Sequence, residues 1–412
     1  ILSMLMKAST ENLRKQNRGL ILSALRRLGS VSHTELSQWT SLSSATVSTI
    51  TTELEKEGIL FRVEQAPSAG RGRPRVKFRQ NPNCAFIAIV RITSELVQYS
   101  LVDYAGTLKD RFEEKRPPAE TDIDTFSSRL KADIHRLIER NELRPEQILT
   151  VSITTKGLVA SGKPELLWSP VFEDMTLNFE DLLKPILPAQ IRLTNDTQFA
   201  AQSIAEKHAA KLGGFSNRKL ATLSLSHSIG LGIATEEANG KISSFAPPFG
   251  HMMHDPNGPL CRCGAHGCIE SIAGFYGILR TAFEVDDNVV PAKFIPLKEI
   301  ENIAVRARNG DHRSEYAFRL AGEALGIGLG RLLTLLGPMP IAITGHGTLF
   351  YDLMQKSILE GIQNTLQVRR NKMPEVSFHT DEGQLIFNGN MQSCLSDLDS
   401  NIISEQNGTK WK

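Results

Sequence analysis

The chain of 412 residues has five cysteines, three tryptophans and five tyrosines, and aromatic residues make up only 6% of it. So few cysteines exclude a disulfide-stapled secreted scaffold, which needs a dense cysteine framework. Long apolar runs are also missing. The longest, near 322–343, is broken by Arg331 and several glycines, short of the roughly 20 clean residues of a membrane span. The opening ILSMLMKAS reaches its lysine after six residues, with the charge on the wrong side for a secretory signal. The expectation is a cytoplasmic protein with no membrane partner. No internal repeat and no long low-complexity segment is visible.

What is present is an ordinary globular composition, 41% hydrophobic and 22% charged, over a length that exceeds one hydrophobic core. Two domains are expected, 1–82 and 83–412. The net charge of +2 is unevenly spread: residues 1–82 hold 13 Lys and Arg against 6 Asp and Glu, net +7, and the remainder holds 34 against 39, net −5. A basic module on a mildly acidic body points to a polyanion-binding head.

In the head, Leu13, Ile21, Leu25 and Leu28 recur at helical spacing until Gly29. Ser32 to Glu35, SHTE, has the spacing of a capping box and opens a short helix carrying Leu36 and Trp39. After a turn, Ser43 is placed to cap a third helix with Val47, Ile50 and Leu54 as its apolar stripe. Ser44, Thr46, Ser48, Thr49 and Thr52 fall outside that stripe. This order predicts a helix-turn-helix with a hydroxyl-rich recognition helix, whose candidate DNA contacts are Ser44, Thr46, Ser48 and Thr49. Strands at 59–63 and 76–78 predict a hairpin wing. Its tip carries Arg71, Arg73 and Arg75 on a Gly/Pro frame suited to a narrow A·T-rich minor groove.

From Ala85 the pattern changes to strands alternating with helices, among them 196–211 and 315–336, which indicates an α/β body. Within it, GHMMHDPNGPLCRCGAHGCIE places Cys261, Cys263 and Cys268 behind a histidine. In a cytoplasmic chain that cluster favours a metal over a disulfide, with His251, His254 and His266 all near enough to serve.

The order of LTNDTQFAAQSIAE, SLSHSIGLGIA and the cysteine loop resembles the ROK family (repressors, open reading frames, sugar kinases). With the winged head and GRGRP in front, the likeness to its Mlc/NagC-type repressors extends over essentially the full chain. The resemblance implies an actin-like (ribonuclease H-like) two-lobed ATPase fold behind the winged helix-turn-helix domain. It implies a structural Zn²⁺ held by His251, Cys261, Cys263 and Cys268, and a sugar site that uses Asn195, Asp196, His251 and Glu270.

Two departures from the family pattern stand out. The Asp-x-Gly-Gly-Thr phosphate turn of the kinases is replaced by IVRITSEL, with Val90 at the Asp position, and the second phosphate turn keeps only Gly230 and Gly232. Phosphotransfer is therefore not expected, and no catalytic residue is assigned. On the sugar side, Pro247 and Pro248 replace a Gly-Glu pair and Lys156 replaces a proline. The protein is expected to be a DNA-binding transcriptional regulator of carbohydrate uptake or catabolism genes. It would repress as a homodimer or tetramer on a palindromic, A/T-flanked operator and respond to a sugar or phosphosugar. A regulator controlled by a protein partner and a sugar kinase are the rival readings.

Overall fold

A computed structural model describes residues 2–64, 76–117, 122–172, 176–212, 218–237 and 241–401. The arginine tip with Arg71, Arg73 and Arg75 lies outside the described residues.

The head consists of helices Leu2–Leu28, His33–Thr40 and Ser44–Lys56, followed by antiparallel strands Leu60–Glu64 and Val76–Gln80. The short strand Val31–Ser32 pairs with the second of these. Local chemistry sets the helix boundaries. The Ser32 hydroxyl accepts the Glu35 N–H at 3.3 Å, and the Glu35 carboxylate accepts the Ser32 N–H at 2.7 Å, closing the expected capping box. Ser43 caps the third helix through the Thr46 N–H at 3.1 Å. The first helix departs from its expected stripe. Ile21, Leu22 and Leu25 are buried, but Leu13 and Leu28 are 58% and 45% exposed. Trp39 is also on the surface, with the Arg27 guanidinium 5.6 Å over its ring.

The body is built twice on one plan. The first five-stranded sheet runs, edge to edge, Leu108–Lys115, Leu96–Asp103, Phe86–Ile92, Ile148–Thr155 and Gln190–Asn195. The second runs Ile242–Phe245, Ile229–Glu236, Lys219–Leu225, Ile341–Thr344 and Val376–His379. In chain order both read 3-2-1-4-5, with two antiparallel pairings followed by two parallel ones. Each sheet has its own apolar core. One centres on Val90, Ile134 and Ile153, the other on Leu223, Phe318 and Ile343. The helix Asp196–Leu212, expected over 196–211, lies against the second sheet, and the expected 315–336 helix extends back to His312, capped by Asp311.

The helix Glu382–Asn401 returns to the first sheet and to the head. The head core of Ile21, Leu25 and Phe78 continues without interruption into Ala85, Ile87, Val102 and Leu395. A buried polar clasp crosses the same seam. Arg26 donates to both Asp399 carboxylate oxygens, at 2.7 and 2.8 Å, and to the Tyr104 carbonyl at 2.8 Å. The Tyr104 hydroxyl donates to Asp399 at 2.6 Å. Head, first lobe and final helix are therefore tied at one point.

Candidate functional site

His251 ends the short helical turn Phe249–His251, and Cys268 stands at the N-cap of the helix Ile269–Ala273. Between them the chain doubles back through Gly267, whose φ is +68° and where a Cβ would lie 1.5 Å from the Asp255 carbonyl. Only glycine fits that crossing. The loop brings Cys261 Sγ to 3.6 Å from His251 Nδ1 and Cys263 Sγ to 3.7 Å from Cys268 Sγ, with all four donor atoms within 4.8 Å of one another. Metal–sulfur arms of about 2.3 Å in a tetrahedron give edges of about 3.8 Å, so the two close pairs have the spacing of ligands around one ion. None of the three cysteines is in a disulfide. Neither His254 nor His266 joins the group; the latter ring turns to Asn288 at 3.4 Å. The Tyr276 hydroxyl lies 3.4 Å from Cys261 Sγ and supports the cluster from outside. The loop docks on the long helix through Gly328, where a Cβ would meet Ile269 at 2.5 Å and Phe249 at 2.9 Å.

A cavity of about 480 Å³ opens beside this loop, between the two lobes. Asn195, His251 and Glu270 line it, as expected, together with Lys156, Trp168, Pro247 and Pro248. Trp168 meets the His251 ring edge to face at 4.8 Å. The Glu270 side chain is buried and accepts the Ile229 N–H at 3.0 Å and the Tyr276 hydroxyl at 3.4 Å. Asp196 is not on the cavity wall. It is 1% exposed, its Oδ2 lies 3.5 Å from Arg91 Nε, and neither carboxylate oxygen meets a hydrogen bond. Burial raises its pKa above the ordinary carboxylate value, against the pull of Arg91 and Lys156.

Arg91 is the residue the sequence reading passed over. Along its strand Ala88, Val90 and Ile92 face the first lobe's core, so Val90 is packed away and Arg91 projects from the other face. The period-2 alternation of that strand could have revealed it. The guanidinium rests against Gly383, where a Cβ would lie 3.1 Å from Nη1, beside Glu382. Burial works to raise the Glu382 carboxyl, but Lys156, Arg91 and a hydrogen bond from Ser224 outweigh it and hold it below its usual value. His227 is pushed down to about 3 by burial and then by Lys156, Arg262 and His346, and its ring sits edge-on between Phe275 and Phe294. Gly230 and Gly232 pack against the 196–212 helix: a Cβ on either would meet Thr197 at 2.3 or 2.2 Å.

In the head, Ser44, Ser48, Thr49 and Thr52 are exposed along one side of their helix and Thr46 is half-buried. Thr49 and Thr52 donate to the carbonyls of Ala45 and Ser48, at 3.0 and 2.8 Å, while Ser43 and Thr46 share a 2.8 Å hydrogen bond.

The ROK family model matches residues 90–384. The chain belongs to the ROK family. A xylose repressor from Bacillus spizizenii is 25% identical over 335 residues, covering 80% of this chain and 82% of that protein. The DNA-binding transcriptional repressor Mlc of Escherichia coli is 23% identical over 375 residues, 90% of this chain and 89% of its own. A solved ROK transcriptional regulator, described as a homologue of E. coli Mlc, superposes with a TM-score of 0.74 at 19% identity, over 95% of this chain and 98% of that one. A ROK glucokinase from Streptomyces griseus, solved with glucose and AMPPNP, reaches 0.55 at 20% identity over 75% of this chain and 99% of its own. These likenesses establish the two-lobed actin-like fold of the body. The kinase accounts for a smaller share of the chain than the regulator does.

Among the described residues of this ROK protein, no helix is long and apolar enough to cross a membrane. The donor set of one imidazole and three thiols fits a single four-coordinate metal ion.

Proposed function

We propose that this protein is a DNA-binding transcriptional repressor of carbohydrate uptake or catabolism genes, cytoplasmic and acting as a homodimer or tetramer. The observation that carries the reading is the head: a capped three-helix unit with an exposed hydroxyl-bearing face on Ser44–Lys56, backed by a two-stranded wing and clasped to an effector-type body. In this reading Ser44, Thr46, Ser48 and Thr49 face the major groove, and Arg71, Arg73 and Arg75 enter an A·T-rich minor groove. Two heads on a palindrome multiply a contact that one short helix makes weakly.

The body is the sensor. Zn²⁺ held by His251, Cys261, Cys263 and Cys268 keeps the wall of the effector cavity in shape; a closed shell of four protein ligands leaves no position for a reactive water. Asn195, His251 and Glu270 form or brace that wall, with Asp196 behind it. Phosphotransfer is not part of the function. Arg91 projects beside the replaced phosphate turn, and the surviving glycines pack against Thr197.

The test is selection of binding sequences from random duplex DNA by the full chain, followed by titration at several salt concentrations. The expected result is a palindromic site bound with a steep salt slope. Arg71→Ala with Arg73→Ala should reduce that slope by about one unit per lost phosphate contact. Absence of any preferred site, together with sugar-dependent ADP release, would overturn the reading in favour of a kinase.

A further inference from the structure

The polar groups around the cavity are unequally free. Asn195 donates its side-chain N–H to the Gly157 carbonyl at 2.8 Å and accepts the Thr197 N–H at 2.9 Å, so both ends of its amide are in use. Gln198 donates to the Ser244 carbonyl at 3.0 Å and keeps a neutral oxygen. Both oxygens of Glu270 are engaged, by Ile229 and Tyr276. Asp196 is off the wall beside Arg91, and Pro247 and Pro248 bring no side-chain acceptor.

Lys156 remains. It lines the cavity and is half-buried, and its ammonium group makes no ion pair or hydrogen bond among the described residues. The two carboxylates that feel its charge, Asp196 and Glu382, stand off the cavity wall and form no direct ion pair with it; Asp196 lies beside Arg91, and Glu382 accepts the Ser224 hydroxyl. The turn that presents Lys156 is held in place, since the Ser169 hydroxyl donates to the Lys156 carbonyl and a Cβ on Gly157 would lie 2.2 Å from the Trp168 carbonyl. The hydroxyls of Ser161, Thr197 and Ser228 complete the set.

A neutral sugar presents hydroxyls, and a protein grips them most firmly with an ionised carboxylate that accepts two at once. Among the described residues the one carboxylate lining this wall, Glu270, already accepts two hydrogen bonds from the protein. An ammonium group only donates, and a half-buried, unpaired one is relieved by an anion. We propose that the cavity takes an anionic sugar, one bearing a carboxylate or a phosphate, with Lys156 as its counter-ion. The proposal rests on the reading of this cavity as the effector site.

The experiment is calorimetric titration of the full-length protein with glucuronate and gluconate as carboxylates and glucose 6-phosphate as the phosphate. Glucose, xylose and inorganic phosphate serve as neutral and bare-anion controls. At least one acidic sugar should bind about 10- to 100-fold tighter than its neutral counterpart, the range expected for one charge-assisted contact. Which arm responds identifies the anion. Lys156→Gln should abolish that preference while melting as the unliganded wild type does, and Lys156→Arg should retain it. Pro248→Glu should turn the preference toward neutral sugars.

Neutral sugars that bind as tightly as acidic ones, or a preference that survives Lys156→Gln, would overturn the charge inference and leave the effector cavity standing. Inorganic phosphate binding as tightly as the phosphosugar would likewise overturn it, as an anion site without sugar recognition. If no sugar of either kind binds, the effector reading fails and this inference with it.

Discussion

The two sides of the cleft differ in what fills them. On the side of Arg91, Val90 is packed into the core and Arg91 pairs with Asp196, which is 1% exposed. On the other side a cavity of about 480 Å³ stays open against a loop folded around four metal-ligand atoms. The fold is the same on both sides. The difference teaches that side chains from separate strands and helices fill one stretch of the cleft, while a loop folded back on itself borders an open space on the other.

Four experiments break or sharpen that contrast, beginning with the largest effect. Cys263→Ser should lose about one metal ion per chain and lower the melting temperature by about 10 °C or more, because a neutral hydroxyl is a poor ligand beside thiolates. Metal analysis and calorimetry check it. Wild-type melting in a metal-free variant would show that the loop holds itself.

Val90→Asp probes the packed strand. If that position belonged to a working phosphate turn, a carboxylate would be tolerated there. Buried among Ala88, Ile92 and Ile153, it should instead cost about 4 kcal/mol in urea unfolding and produce no ATP turnover.

Arg91→Ala should cost about 3 kcal/mol at pH 7, since it removes the cation paired with the buried Asp196 carboxylate and leaves only the weaker pull of Lys156. The pH dependence has a defined sign. A carboxyl whose folded-state pKa is raised above its unfolded value loses stability as pH rises between those two values, so the variant should be closer to wild type in mild acid.

The smallest effect concerns His227. Its imidazole titrates near 6.5 when unfolded but only near about 3 when folded, so its stabilising contribution is complete above 6.5 and lost as pH falls toward 3. His227→Phe should therefore flatten the acid limb of the stability curve, narrowing the loss between pH 7 and pH 5 by up to about 2 kcal/mol. Urea unfolding at the two pH values measures it.

Legibility followed sequence distance. The capping box of Ser32 and Glu35, the Ser43 cap and the stripe of Val47, Ile50 and Leu54 appear where expected, because hydrogen bonds and helical periodicity over a few residues suffice. The histidine–cysteine cluster was readable too: the three cysteines come from one loop whose spacing is the signal, and the family resemblance singled out His251 from His254 and His266. The first helix was misjudged at Leu13 and Leu28: periodicity identifies an apolar face but not which of its residues a neighbour covers. The duplicated 3-2-1-4-5 sheet left no visible repeat in the residues, because a topology constrains burial and direction and leaves residue identity free.

By itself, then, the sequence determined the local machinery: a basic capped head, a loop that gathers three cysteines and a histidine, and an α/β body. Only the tertiary structure decided that Arg91 and Asp196 meet, across about a hundred residues of chain. It also decided that the head is joined to the body through Arg26 and Asp399, 373 positions apart. Such pairings depend on how whole sheets and helices pack, and no short stretch of residues records that.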